Sequence, residues 1–152
     1  MPQTDISSSS NTPAHPFGVS ITSEDIVETL SFLDDWEQRY RYLIDLGKEL
    51  PEMAVEKQQE EFLIRGCQSS VWLHYQIDDD RYWFEADSDA YIVRGLVGLV
   101  LAAFNGKTSQ EILDFNVDEY FERLELLNHL TPTRGNGVRS MVDRIRFIAR
   151  EV

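Results

Sequence analysis

The feature of this sequence that most constrains its fold is a change in the spacing of apolar residues near its middle. Over residues 71–77, Val, Leu, Tyr and Ile alternate with Trp, His and Gln, which is the two-residue period of a β-strand. Three aspartates at 78–80 predict a turn, and the aromatic-rich residues 81–86 predict a returning strand. Residues 62–65 can add a third strand. The pattern predicts a small antiparallel sheet of two or three strands.

Helical patterns precede the predicted sheet. Thr22 or Ser23 can cap a helix whose apolar residues recur at helical spacing. A second helix is predicted from about residue 35, and Gly47 followed by Pro51 indicates its end. Each pattern has an apolar stripe, so both helices should contribute to one core.

A longer helical pattern follows the sheet. It can be capped by Asp87 or Ser88 and can end at residues 105–106, Asn-Gly. Its nearly all-round apolar character predicts a buried central helix against the sheet. Gly95 and Gly98 inside it predict the close approach of another helix, since a glycine in a helix otherwise costs about 1 kcal/mol.

The rest of the chain also predicts helices. Thr108 and Asn116 can each begin a short one. Pro132 predicts a break before a final amphipathic helix. Residues 134–137, Arg-Gly-Asn-Gly, lack the Lys and the Ser or Thr of a phosphate-binding loop and predict a helix-entry turn instead. The predicted order is helices, then two or three adjacent strands, then helices. This order predicts an α+β domain.

Length and composition predict one domain with a tail. A chain of 152 residues is large enough for one compact core. Residues 1–18 are rich in Ser, Thr, Pro and Asn without periodic apolar residues, which predicts a disordered tail before a single domain at 19–152. No secretory signal is evident, and the most hydrophobic segment, residues 95–106, is too short to span a bilayer. We therefore expect a soluble, cytoplasmic protein.

Charge and cysteine content limit the classes of partner. The formal net charge is −13, from 27 acidic and 14 basic side chains. Such a chain repels phosphate backbones and anionic membranes, so a protein partner with a basic or mixed docking patch is the better expectation. The single cysteine excludes an intrachain disulfide and a paired-thiolate metal site, which indicates a reducing compartment.

That cysteine, Cys67, is the strongest candidate for chemistry. A thiolate is the most nucleophilic side chain near neutral pH. Gly66 suits a sharp turn, Gln68 supplies hydrogen-bonding groups, and Arg65 can favour the thiolate. The alternative is a buried cysteine that only fills space, since free cysteines are among the most buried residues. The local sequence leaves both alternatives open.

Other reactive side chains do not form a recognisable site. The three histidines show no short metal-ligand spacing. A dyad of Cys67 with one of them has no evident third residue to orient it. The acidic residues at 78–80 and 87–89 fit a turn and a helix start better than an acid–base pair or a cation site. We therefore expect no metal.

Four separated motifs give the chain a family resemblance. They are WEQRYRYLIDLGKELP at 36–51, RGCQSSVW at 65–72, DSDAYIVRGL at 87–96 and LNHLTPTRGNGV at 127–138. They resemble the SufE family of cysteine desulfuration proteins over about residues 21–152, and HPFG at 15–18 is similar to the CsdE-type branch. The chain departs from the family at Thr133 and at RGNG, where many relatives have Ser and RSQG. Neither departure touches the cysteine motif.

The resemblance implies a sulfur acceptor. Such proteins dock on a cysteine desulfurase of the SufS or CsdA type, enhance its activity, take its sulfur as a persulfide and pass it toward an iron–sulfur scaffold or another recipient. By its position in GCQS, Cys67 is the implied acceptor, flanked by Gly66 and Gln68. Asp89 and Arg134 match positions near the cysteine loop or the partner surface. The pyridoxal phosphate belongs to the desulfurase, so the resemblance implies no cofactor on this chain.

A mechanism follows from this resemblance as a hypothesis. The Cys67 thiolate attacks the outer sulfur of the partner's persulfide, as in disulfide exchange, so the chain is not itself a desulfurase. Gly66 is the expected hinge of the loop, and we expect a sheltered thiol in the free protein. A thiol redox sensor and a non-covalent adaptor are the alternative functions.

Overall fold

The structure is a computed structural model of the 152-residue chain. It describes residues 16–51, 53, 58, 63–64, 70–125, 130 and 132–151. Over residues 132–136 the description is of the backbone alone.

Helices flank a two-stranded hairpin, in the order that the sequence predicts. The elements are α1 Ser23–Ser31, α2 Trp36–Lys48, β1 Val71–Asp78, β2 Arg81–Ser88, α3 Tyr91–Phe104, α4 Ser109–Asp114, α5 Val117–Leu124 and α6 Pro132–Arg150. The predicted α+β class is confirmed. In the described part of the chain the sheet has two strands, and the expected third strand contributes one bridge, from Leu63 to Trp72.

Side-chain caps fix the starts of four helices. The Thr22 hydroxyl accepts the Asp25 N–H at 3.2 Å, and the Asp25 carboxylate accepts the Thr22 N–H at 3.0 Å. Thr108 and Glu111 form the same reciprocal pair at the start of α4. Each pair satisfies donors that a helix start leaves without partners. The other two caps are Asp35 for α2 and Asn116 for α5.

The hairpin turns at Asp79 and Asp80, as predicted. Their φ angles of 54° and 67° lie in the left-handed region, and two such residues give a turn whose twist matches antiparallel strands. The register pairs Val71 with Ser88, and opposite residues share a face of the sheet. The apolar side chains that this face buries are Val71, Leu73, Tyr82, Phe84 and Ala86.

Helix α3 lies at the centre of the core. Every residue from Gly95 to Phe104 is buried, which confirms the predicted central helix. A Cβ at Gly95 would collide with the backbone carbonyl of Leu43 in α2, so this glycine permits the two helices to touch. The prediction of another helix beside Gly98 is wrong. A Cβ at Gly98 would lie 2.7 Å from the Phe17 ring.

The domain begins earlier than the sequence predicts. Phe17 is 0 % exposed, and Asn105 donates from Nδ2 to its carbonyl oxygen at 3.2 Å. Burial of one such side chain contributes roughly 1.5–3 kcal/mol, which offsets part of the cost of ordering a short segment. The predicted tail is therefore wrong for residues 16–18. Residues 1–15 lie outside the described residues, and for them the tail stays a prediction.

Two predicted helix starts are also wrong. Asp87 and Ser88 do not cap α3, because they are the last residues of β2. The N-cap of α3 is Ala90, which forms no side-chain capping bond. Residues 134–137 are not a helix-entry turn, because α6 already begins at Pro132. Proline suits this position, since its φ is helical and an N–H there would lack a helical partner.

Membrane crossing by a helix depends on its length and its apolar character. The apolar α3 has 14 residues, whereas a span needs about 20. Across the residues that the structure describes, no helix combines enough length with enough apolar character to cross a bilayer.

Candidate functional site

The cysteine motif joins two described chain ends beside the hairpin. Gly66, Cys67 and Gln68 lie outside the described residues, so the acceptor, the hinge and the sheltered thiol stay predictions. Ile64, which precedes the motif, and Ser70, which lies within it after Cys67, are described. Their contacts show where the motif is attached to the domain.

The upstream end is attached to β1. The Ile64 N–H donates to the Val71 carbonyl at 2.8 Å, and Leu63 forms an antiparallel bridge with Trp72. Ile64 and Val71 are 4 % and 3 % exposed, so this junction belongs to the core. Residues 65–70 therefore connect two positions that are hydrogen-bonded to each other.

The downstream end is attached next to α3. The Ser70 carbonyl accepts the Asp89 N–H at 3.4 Å, a long hydrogen bond, and the next residue, Val71, pairs with Ser88. The structure thus brings the Asp89 backbone to the end of the cysteine motif, while Asp89 itself is exposed. A role for its side chain stays a prediction.

Arg134 lies in the first turn of α6. Its backbone is all that is described, so its predicted place near the cysteine loop or the partner surface stays a prediction.

A largely buried ion pair, which the sequence analysis did not predict, lies at the same end of the hairpin. Asp87 is 5 % exposed, and its Oδ1 is 3.3 Å from Nε of Arg94. The Nε–H makes no hydrogen bond within the described residues, although this distance is inside ion-pair range. The contact between the two charged groups is therefore electrostatic, and their hydrogen bonds go to the backbone.

Those backbone bonds link three segments of the chain. Asp87 accepts the Met53 N–H through Oδ2 at 3.1 Å and the Ser88 N–H through Oδ1 at 2.8 Å. Arg94 donates from Nη2 to the Leu50 carbonyl at 2.7 Å. The Asp87–Arg94 pair thus ties the chain that follows α2 to the end of β2 and to the first turn of α3.

The sequence did contain one signal for this pair. Arg94 is the one charged residue of α3, and a charge in an apolar, buried helix needs a partner. Strand alternation places Asp87 on the outer face of β2, opposite Trp72. Nothing in the sequence pattern indicates that the Met53 N–H reaches Asp87 at this end of the outer face.

The described residues contain no group of histidine, cysteine and acidic side chains that could hold a metal ion. His74 is partly buried and lies on the opposite face of β1 from Leu73, as predicted. His15 and His129 lie outside the described residues.

A separate groove of about 710 Å³ runs along β1 away from the cysteine motif. It begins at Leu73 and is closed on its other side by α6. Tyr75 and Ile77 in its wall are 40 % and 48 % exposed. The α6 residues that line it are Arg144, Phe147 and Ile148.

Residues 24–149 match the protein-family model described as SufE, the Fe-S metabolism associated domain. This range begins in α1 and ends in α6, and it includes the cysteine motif. It covers the greater part of the chain.

Two curated relatives are similar to the chain over most of its length. An uncharacterised SufE-like protein of Rhizobium etli is 50% identical over 131 residues, which cover 84% of this chain and 88% of that protein. A second uncharacterised SufE-like protein, from Rhizobium meliloti, is 46% identical over 127 residues, with coverages of 81% and 91%.

One solved structure has a similar fold. The solution structure of a hypothetical protein from Thermus thermophilus superimposes with a TM-score of 0.69 at 18% sequence identity, covering 85% of this chain and 93% of that one. At this identity the likeness concerns the fold alone.

Proposed function

This chain belongs to the SufE family, which is associated with iron–sulfur metabolism, and on that basis we propose that it accepts sulfur on Cys67 from a cysteine desulfurase. The observation that carries the proposal is the family match over residues 24–149, because that range includes the chain's one cysteine. The attachment of both ends of its motif to the core supports it further.

The proposed step is a sulfur transfer between two thiols. The Cys67 thiolate attacks the outer sulfur of a persulfide on the desulfurase, and a new S–S bond forms. The S–S bond of the desulfurase breaks, and its cysteine leaves as a thiolate with the electron pair. The outer sulfur keeps its proton or loses it to water. The desulfurase supplies the oxidised sulfur, so no further oxidant is needed.

This chemistry places few demands on the acceptor. The leaving thiolate is stable near neutral pH, so the step requires no general acid or base. That agrees with the sequence, in which no third residue to orient a dyad of Cys67 with a histidine is evident. The pyridoxal phosphate that releases sulfur from L-cysteine belongs to the desulfurase in this proposal, and this chain contributes the acceptor and the docking surface.

Charge supports a particular kind of partner surface. With a net charge of −13, the chain is attracted to a desulfurase that carries a basic or mixed patch around its own cysteine. Docking of the two proteins enhances desulfurase turnover, because the transfer to Cys67 removes the sulfur that occupies the catalytic cysteine of the desulfurase. The CsdE-type branch, a SufS- or CsdA-type partner and an iron–sulfur scaffold as recipient belong to the same proposal.

The proposal is tested by intact mass spectrometry. The full-length protein is incubated with a cysteine desulfurase and L-cysteine, and its mass is recorded before and after treatment with a thiol reductant. We expect the wild-type chain to gain one sulfur atom that the reductant removes, and Cys67→Ser to gain none. The acceptor role is refuted if wild type gains no sulfur or if Cys67→Ser gains as much.

The two alternative functions are distinguished by two rate measurements. A non-covalent adaptor would stimulate sulfide release by the desulfurase equally as wild type and as Cys67→Ser. A redox sensor would react faster with hydrogen peroxide than with the persulfide of the desulfurase. The sulfur-acceptor proposal predicts the opposite result in both comparisons.

A further inference from the structure

The groove between β1 and α6 exposes a cluster of large apolar side chains. Tyr75 and Ile77 of β1 are 40% and 48% exposed, and Phe147 of α6 is 56% exposed. All three line the groove. The other large apolar side chains exposed in the described part of the chain lie outside it; they are Val19, Phe32 and Tyr91. Contiguous exposed apolar side chains of this size mark a binding surface more often than single ones do.

The groove follows the length of β1. Five consecutive residues line it, from Leu73 to Ile77. Since neighbouring residues of a strand point to opposite faces of the sheet, a groove that reaches all five runs along the strand backbone and not over one face alone. This stretch is roughly 14 Å long, at about 3.4 Å for each residue, which is the length of a short extended peptide. The groove therefore has the shape that an extended protein segment fits.

The charge in the wall of the groove comes from Arg144. This residue of α6 is partly buried, and none of the described residues that line the groove is acidic. Within the part of the chain that the structure describes, its guanidinium makes no ion pair and no hydrogen bond. The helix offers no acidic partner one turn away, where the residues are Ser140, Met141, Phe147 and Ile148. A partly desolvated cation without a partner is costly, and a carboxylate bound beside it would remove that cost.

Arg144 differs in this respect from other arginines of its own helix. Arg139 lies 3.9 Å from a carboxylate oxygen of Asp118, and Arg146 donates to the Leu113 carbonyl at 3.4 Å. Another groove, of about 580 Å³ between α1 and α2, has four acidic residues in its wall. On a chain with a net charge of −13, the groove along β1 is therefore a local surface that suits an anionic group.

We propose that the groove between β1 and α6 binds an extended segment of a protein partner in which apolar side chains flank a carboxylate. The apolar side chains pack against Tyr75, Ile77 and Phe147, and the carboxylate pairs with Arg144. A small amphipathic molecule fits less well, because ligand pockets enclose most of their ligand, whereas these walls are about half exposed. A second copy of the chain brings another charge of −13, which opposes its approach.

The test begins with peptide selection by the full-length protein. A random library of short peptides displayed on phage is first passed over the double variant Arg144→Glu/Phe147→Ala, which removes peptides that bind elsewhere, and is then selected on wild type. We expect the enriched sequences to share an acidic residue between apolar residues. The proposal is overturned if no sequence is enriched, or if the enriched sequences lack the acidic residue.

The affinity of the consensus peptide is then measured by fluorescence anisotropy. Arg144→Gln should raise the Kd about tenfold, because it loses a charge-assisted hydrogen bond to the carboxylate. Phe147→Ala should raise it about fivefold, as truncation of a contact residue does. The matched controls are Arg139→Gln, which removes a charge from the same helix, and Phe32→Ala, which removes an exposed ring outside the groove. Both should keep the wild-type Kd. An unchanged Kd in Arg144→Gln would overturn the proposal.

An exchange of charges tests the proposed contact itself. Arg144→Glu should abolish binding of the consensus peptide. A peptide with lysine in place of the acidic residue should bind Arg144→Glu more tightly than it binds wild type. Such a gain requires a folded groove, so a loss of stability cannot produce it. If the lysine peptide prefers wild type, the carboxylate does not pair with Arg144.

Two further measurements separate the other possible occupants. Sedimentation velocity compares wild type with Phe147→Ala, and we expect the same oligomeric state in both. A dimer that Phe147→Ala abolishes would assign the groove to a second copy and overturn the proposal. Decanoate should displace the labelled peptide only at higher concentration than the unlabelled peptide does, and the reverse order would assign the groove to a small amphipathic anion. No desulfurase is present in these assays, so their outcome is independent of the proposed function.

Discussion

Gly47 of α2 and Gly95 of α3 pack against each other so closely that a Cβ at Gly47 would lie 2.8 Å from the Gly95 nitrogen. The same Cβ would lie 3.1 Å from Cβ of Arg94. Two glycines at one crossing let the helix backbones meet, and this contact brings the end of α2 beside the first turn of α3. The Leu50 carbonyl is there within reach of the Arg94 guanidinium, at 2.7 Å. The helix crossing and the buried ion pair are therefore parts of one arrangement.

Gly95→Ala should destabilise the domain strongly. Its methyl group would collide with the Leu43 carbonyl, and backbone at a helix crossing cannot move aside without shifting α2. Overpacking of this kind costs about 1–3 kcal/mol or more, measured as the free energy of unfolding in urea. The matched control is Gly98→Ala, where the new methyl group would meet the Phe17 ring at 2.7 Å, a side chain and not helix backbone, so the loss should be smaller. An equal loss in the two variants would contradict the close helix contact.

Asn105 should be required for the stability of the fold, because its side chain forms hydrogen bonds to two separate segments. Its Oδ1 accepts the Phe84 N–H at 2.7 Å, and its Nδ2 donates to the Phe17 carbonyl at 3.2 Å. Asn105→Ala leaves both buried backbone groups without these partners, at a cost of about 1–3 kcal/mol for each group that water cannot reach.

Asn105→Asp should also destabilise the fold, because a carboxylate cannot donate to the Phe17 carbonyl. The control is Asn116→Asp at the start of α5, which should be nearly neutral since Asp and Asn cap helices equally well. Thermal unfolding of the three variants gives the comparison. If Asn105→Asp unfolds at the same temperature as wild type, the hydrogen bond to the Phe17 carbonyl contributes little to stability.

The pair of Glu24 and Arg123 should contribute to stability only above acidic pH. The hydrogen bond from Arg123 lowers the pKa of Glu24 from its ordinary value of 4.5. The unfolded chain therefore binds this proton more readily, so the contribution is fully present above that ordinary value and is lost as pH falls through the lower folded value.

Both partners are largely exposed, so the effect on unfolding should be small and should weaken with salt. The measurement is the difference in Tm between wild type and Arg123→Gln, taken at neutral and at strongly acidic pH in low salt. We expect a small difference at neutral pH and none in acid. A larger Tm difference in acid than at neutral pH would contradict the lowered pKa of Glu24.

Docking on the desulfurase should be sensitive to salt. Because the chain carries a net charge of −13, added salt screens its attraction to a basic patch over a Debye length of about 10 Å at 0.1 M. The concentration of this protein that half-saturates stimulation of the desulfurase should therefore rise with ionic strength. Sodium chloride titration of that concentration provides the measurement. A value independent of salt would point to an apolar docking surface.

The parts of the fold that the sequence predicted are those set by local rules. The alternation through residues 71–77, the aspartate turn and the caps at Thr22 and Thr108 each depend on neighbours along the chain, and each is confirmed. Helix α3 was predicted correctly for a similar reason, since a helix that is apolar on all sides has to be buried.

The errors have a common physical cause, which is contact between distant segments. Phe17 looked like part of a polar tail because its partners, Gly98 and Asn105, are far along the chain. Asp87 looked like a helix cap because local rules favour acidic residues there. Its actual partners, Met53 and Arg94, come from two other segments. The lone charge of Arg94 in an apolar helix indicates that it needs a partner, but no local pattern identifies Asp87 as that partner.

The site at Cys67 stays a prediction from the sequence. The motif that holds Cys67 was found from its residues, and the structure describes how its two ends are attached. The buried pair beside those ends became visible only in three dimensions.

Locating the transferred sulfur tests the central claim most directly. After incubation with a desulfurase and L-cysteine, the protein is alkylated, digested without reductant and analysed by peptide mass spectrometry. The account predicts that the peptide containing Cys67 carries the alkylating group on an added sulfur atom, in wild type and in the exposed control Arg123→Gln alike. A Cys67 peptide that carries the alkylating group directly on its thiol, while the desulfurase retains its persulfide, would contradict it.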